Sequence, residues 1–65
     1  MFIVSEYTPS GWKPTKTNNI RDIYDIVLNI TNNEKEAEKA TNVAEDMGFG
    51  GFHVGTFYMI ECIRE

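Results

Sequence analysis

Asn19-Ile20-Arg21-Asp22-Ile23-Tyr24-Asp25-Ile26-Val27-Leu28-Asn29-Ile30-Thr31 is the stretch on which the fold turns. At about 100° per residue, Ile20, Ile23, Tyr24, Ile26, Val27, Leu28 and Ile30 cover an arc of roughly 200°. Arg21, Asp22, Asp25 and Asn29 fill the remaining arc without mixing. Strand alternation fails, because Asp22 falls among the apolar even positions and Ile23 and Val27 among the polar odd ones. The pattern predicts a helix to about Thr31, with Asn19 as its N-cap. Its many β-branched residues lower intrinsic helix propensity, so tertiary packing must stabilise it. It is the core helix.

Downstream, Thr31-Asn32-Asn33 is a short connection, and a second helix begins with Asn33 and Glu36 in capping-box spacing. Gly48 stands where a helix C′ residue belongs. Between these ends Ala37, Ala40, Ala44 and Met47 form a narrow seam with Val43 beside it, and most other positions are charged. Alanine buries little area but admits a neighbouring backbone closely. The short connection predicts that the two helices form an αα-hairpin.

Upstream, Phe2 to Tyr7 alternates as a strand, with Phe2, Val4 and Glu6 on one face and Ile3, Ser5 and Tyr7 on the other. Thr8-Pro9-Ser10-Gly11 suits a type I turn. Trp12 to Thr15 then returns as a short strand, which Pro14 confines to an edge because it lacks a backbone donor. After Gly48-Phe49-Gly50-Gly51, Phe52 to Ile63 reads as one long central strand with a bulge or bend at Gly55. On that reading Phe52, Val54, Thr56, Tyr58, Ile60 and Cys62 share a face, and His53, Gly55, Phe57, Met59, Glu61 and Ile63 share the other. The expected fold is a single α+β domain over residues 1–65, in the order β-β-α-α-β. A two- to three-stranded antiparallel sheet, a β-hairpin plus the C-terminal strand, carries the αα-hairpin on one face.

The composition narrows the function classes. With 65 residues the chain makes one small domain, and most of it must go into closing a core. Hydrophobic residues at 42% and charged residues at 25% are those of a folded protein rather than a disordered one. A lone cysteine, Cys62, excludes an internal disulfide, and a lone histidine, His53, leaves metal chemistry thin, so neither metal nor cofactor is expected. Small secreted domains usually need bridges, which points to a reducing, cytoplasmic setting. The N-terminus lacks the basic and apolar regions of a signal peptide, and the chain reads as a complete short frame. No apolar run reaches the ~20 residues that span a bilayer, so no membrane association is expected. The Asn29-Ile30-Thr31 sequon and the Cys62-Ile63-Arg64-Glu65 terminus carry no export or prenylation signal beside them.

Each candidate for chemistry has a structural competitor. Gly48, Gly50, Gly51 and Gly55 leave a helix and enter a strand, the reverse of a phosphate-binding loop, and read as a cap and turn. Their odd separation puts His53 and Cys62 on opposite faces of one strand, and Cys62 reads as a small buried hydrophobe. His53 and Glu61 share a face but stand roughly 26 Å apart along it. The carboxylates of the helices read as solvated surface, without the cleft that paired acid–base groups need. No catalytic constellation emerges, and an enzyme is not expected.

Charge segregation is the more informative feature. The net charge is -4, yet Lys13, Lys16 and Arg21 lie in an acid-free stretch around Trp12, whereas the second helix is acidic. The leading expectation is therefore a small acidic protein-binding module that acts by stoichiometric association, as an inhibitor, antitoxin-like factor or adaptor. Phage and mobile elements encode many short acidic proteins of this kind. Its contact residues would be Trp12, Lys13 and Lys16 of the basic stretch, Glu34, Glu38 and Glu45 of the acidic helix, and Phe49, Phe57 and Met59. The partner would be another protein or a second copy in a homodimer. The alternative is a nucleic-acid-binding regulatory module using Trp12, Lys13, Lys16 and Arg21, with Phe52 and Tyr58 on the sheet. Three positive charges on an acidic molecule make it the weaker reading.

Overall fold

The computed structural model describes residues 1–64. Three hairpins follow one another along the chain. Strands β1 (Phe2–Thr8) and β2 (Gly11–Thr17) form the first, helices α1 (Ile20–Thr31) and α2 (Glu34–Asp46) the second, and strands β3 (Phe52–Val54) and β4 (Tyr58–Cys62) the third. All strand pairs are antiparallel and the sheet order is β2-β1-β4-β3. The fold is α+β with the αα-hairpin on one sheet face, as expected. The sheet has four strands where two or three were expected, because the C-terminal segment folds back on itself.

The expected long strand breaks at the turn between Val54 and Tyr58. Gly55 N–H donates to the Tyr58 carbonyl at 2.8 Å, closing a tight hairpin. A continuous strand would put Phe52 and Val54 on the side of Tyr58 and Ile60. The hairpin instead pairs Phe52 with Glu61, His53 with Ile60 and Val54 with Met59. Cross-strand partners share a face, so the turn reverses the expected facing of all three β3 side chains. Glycine at position 55 is a packing requirement, since a Cβ there would overlap the Tyr58 ring. Strand β2 also runs two residues beyond the expected Thr15, to Thr17, and lies at an edge as Pro14 requires.

The helices end largely as their sequences dictate. Asn19 Oδ1 accepts from the Arg21 amide at 3.0 Å, and Asn33 Oδ1 from the Lys35 and Glu36 amides. Asn32 closes α1 in the left-handed region at φ 53°, where asparagine is tolerated. Two expected features at the ends of α2 are replaced. Glu36 does not complete a capping box; its carboxylate turns to the Tyr58 hydroxyl. Gly48 does not adopt the left-handed cap, and the positive φ of that loop falls on Gly50, at 81°.

The core lies between the helices and one sheet face. Val4, Tyr58 and Ile60 from the sheet meet Ile23 and Val27 of α1 and the Ala37, Ala40 and Ala44 seam of α2, all buried. The remaining apolar residues of α1 flank this cluster, half-buried. Cys62 is buried and free.

Substitution of two of the four glycines between α2 and β4 separates a packed position from an open one. Gly55→Ala should cost about 1–3 kcal/mol, as inserted atoms do in a filled core. Gly48→Ala, which enters open space at an ordinary φ, should stay within about 0.5 kcal/mol of the parent. Urea-denaturation midpoints of the two variants measure the difference.

Candidate functional site

The two faces of the sheet have different fates. Phe2, Val4 and Glu6 of β1 pair with Cys62, Ile60 and Tyr58 of β4, and these side chains face the helices. Alternation sends Ile3, Ser5 and Tyr7 of β1 to the opposite face. The register adds Trp12, Pro14 and Lys16 from β2, Met59 and Glu61 from β4, and Phe52 and Val54 from β3. No element of the described residues covers that face.

Its side chains form rows across the strands. Lys16, Ile3, Glu61 and Phe52 make one row; Pro14, Ser5, Met59 and Val54 make the next; Trp12 and Tyr7 end the series. Trp12 meets Tyr7 edge-to-face, with ring centroids 5.2 Å apart at 73°. Tyr7, Trp12, Phe52 and Val54 are exposed by 55%, 49%, 61% and 56%. That exposure is high for large apolar side chains gathered on one surface, and such patches mark contact sites. Trp12 thus belongs to an exposed aromatic pair on β2 and β1, outside the core.

The expected contact residues fall in five places. Trp12, Lys16 and Met59 come together on the open face. Phe57, exposed, sits at the rim, where its carbonyl accepts from the Tyr7 amide at 2.9 Å. Lys13 points to the helix side instead, beside a groove of about 200 Å³ with Glu6, Thr15, Ile26, Asn29 and Ile30. Phe49 lies on the α2–β3 loop beneath the Arg64 guanidinium, 5.5 Å from its ring centroid. Glu34, Glu38 and Glu45 are exposed and fall on one stripe of α2, within an arc of about 40°. That helix packs on the other side of the sheet, so the acidic stripe and the aromatic face are separate surfaces.

Several pairings are also redrawn. His53 and Cys62 share the helix side of the sheet, contrary to the expectation from a single strand. His53 and Glu61 lie on adjacent strands and opposite faces rather than far apart on one face. The His53 ring lies 6.2 Å from that of Tyr58, and its buried Nε2 has no hydrogen-bond partner among the described residues. Tyr58 is fully buried and offers no stacking surface, whereas Phe52 is on the open face. Tyr7, Phe52 and Val54 share this exposed face although they are not among the expected protein-contact residues. Alternation in β1 signalled Tyr7, while Phe52 and Val54 depended on locating the Gly55 turn.

A second groove, of about 250 Å³, opens between the α1–α2 turn and the β3–β4 turn, lined by Ile30, Thr31, Asn33, Glu36, Thr56 and Phe57. Beneath it the Tyr58 hydroxyl donates to Glu36 Oε1 at 2.6 Å, joining β4 to α2. Burial, with the adjacent Glu36 acceptor and its charge, raises the Tyr58 hydroxyl well above the ordinary tyrosine range. Among the described residues no group of three or more His, Cys, Asp or Glu side chains could hold a metal ion. No helix there is long and apolar enough to cross a membrane. Comparisons with protein-family models, curated proteins and solved structures found no match to this chain.

The Tyr58–Glu36 contact makes a pH prediction. The unfolded chain releases the tyrosine proton first, near pH 10, so the stability linked to this group is complete below about pH 10. It is lost as pH rises further toward the raised folded value. Tyr58→Phe should cost about 1–3 kcal/mol at neutral pH and remove this alkaline loss. Denaturation midpoints between pH 7 and 11 test both parts.

Proposed function

We propose that the chain is a small protein-binding module that acts by stoichiometric association and contacts its partner through the open sheet face. The observation that carries this reading is the grouping of Tyr7, Trp12, Phe52 and Val54, all largely exposed, on the one sheet face left without a helix layer. Aromatic side chains offer large contact area at low entropic cost, and tryptophan and tyrosine are frequent anchors in interfaces. Lys16 and Glu61 flank the apolar centre and supply the polar margin that fixes orientation. The acidic stripe of α2 lies on the opposite side, where it steers encounter and resists non-specific clustering. Inhibitor, antitoxin-like and adaptor roles all use such occupation of a target, and a cytoplasmic, phage-type accessory protein is the setting we infer.

The nucleic-acid reading is weakened by the register. Trp12 and Lys16 share the open face, Lys13 projects to the other side, and Arg21 stands on α1. The basic set does not converge on the aromatic pair, and so few phosphate contacts would bind weakly at physiological salt.

Trp12→Ser with Phe52→Ser removes the exposed anchors without entering the core. The parent chain, immobilised in a lysate of its source organism, should retain one protein in equimolar amount, and the double variant should lose it at least about tenfold. Retention unchanged by the double variant, or Trp12 fluorescence that responds at low salt to single-stranded oligonucleotides and to no retained protein, would reject the reading.

A further inference from the structure

We infer that a second copy of this chain covers the β2-β1-β4 part of the open sheet face, packed face to face about a two-fold axis that runs parallel to the strands and over β1. The inference rests on the proposal that this face is a contact surface, and it names the occupant in the free protein. Two features support it.

The first is charge complementarity. Lys16 and Glu61 lie in one row on either side of Ile3, one strand away from it in each direction. A two-fold axis over β1 exchanges left and right while keeping position along the strands. It therefore sets Lys16 of each copy over Glu61 of the other and brings the two Ile3 side chains together at the axis. Both ion pairs form at once, as an isologous interface requires. An axis over β4 would place Glu61 against Glu61 and leave Lys16 without that counterpart.

The second is the next row. The same operation sets Pro14 over Met59 and Ser5 over Ser5, an apolar pair flanking a small residue at the axis. Sheets packed in this aligned way stand about 10 Å apart, a gap that Ile3, Met59 and the Trp12–Tyr7 pair can fill.

The experiment is charge reversal read by sedimentation equilibrium over a wide concentration range. Both side chains are exposed, so the variants leave the fold intact, and circular dichroism verifies this. The parent should reach twice the single-chain mass. Lys16→Glu and Glu61→Lys should each weaken the dimer by about tenfold or more, because each places two like-charge pairs in the interface. The combined Lys16→Glu/Glu61→Lys variant should restore the parent affinity to within about threefold, since both pairs return with signs exchanged. A parent that stays monomeric at high concentration overturns the inference. So does a dimer indifferent to the reversals, which would be joined elsewhere, such as along the free β3 edge. Neither result touches the protein-binding reading, which is tested separately by capture with the Trp12 and Phe52 variants and by Trp12 fluorescence.

Discussion

The structure depends on the antiparallel ladder between β1 and β4. Phe2 to Glu6 pairs with Tyr58 to Cys62, elements at opposite ends of the chain. Beyond the ladder, the Met1 amine and the Ile63 carbonyl, and the Ile63 amide and the Met1 carbonyl, are joined at 3.0 and 2.7 Å. A two-stranded hairpin in water is marginal at best, and the chain contains two of them. Only when β1 meets β4 do Val4, Ile60 and Tyr58 form one surface broad enough for both helices. The α1 helix, rich in β-branched residues, and the alanine seam of α2 then gain the tertiary contacts that their sequences alone cannot supply. Because this pairing spans nearly the whole chain, its loop-closure entropy must be met before the core repays it.

The glycine at position 55 and the tyrosine at 58 make that ladder usable. The ring of Tyr58 occupies the space a side chain at 55 would need, and its hydroxyl ends on Glu36 of α2. One residue thus joins the β3–β4 turn, the core and the second helix. This also accounts for Glu36 leaving its N-cap role. The Asn33 amide that a capping box would bind is held by the Thr31 hydroxyl at 3.3 Å. The carboxylate is therefore free to serve as the acceptor for a buried hydroxyl, whose desolvation would otherwise go uncompensated.

Much of this was legible in the sequence, and the exceptions have a common cause. The apolar arc of α1, the alanine seam of α2, both asparagine N-caps and the edge position of β2 follow from local chemistry and periodicity. The β3–β4 hairpin did not, because Gly55-Thr56-Phe57 lacks an Asn-Gly or Asp-Gly signal and alternation runs through it without a break. A Gly that accommodates a ring three residues later is a tertiary requirement, invisible to a pattern of period two. From that one turn follow the wrong facing of Phe52, His53 and Val54, the missing fourth strand and the misplacement of His53 relative to Cys62. Trp12, Lys16 and Met59 fall on one sheet face because β1, β2 and β4 keep their expected alternation. The scatter of Lys13, Phe49 and the α2 glutamates was not legible, since linear charge segregation does not say which side of a sheet a residue takes.

The two faces differ in how the described helical residues are placed. Twenty-five helical residues, twelve in α1 and thirteen in α2, suffice to cover one side of a four-stranded sheet. No residues remain among those described to build a second layer. A sheet in this position can carry polar side chains on its bare side, and antiparallel sheets commonly do so. Here that side carries Ile3, Tyr7, Trp12, Phe52, Val54 and Met59, with a single charge of each sign between them. The net negative charge is meanwhile concentrated on α2, in the other layer, where it does not oppose approach to the bare face. An uncovered apolar side and a charge set apart from it are mutually consistent. Both fit the association proposed for this face, since an approaching partner meets apolar side chains on one layer and the net charge stays on the other.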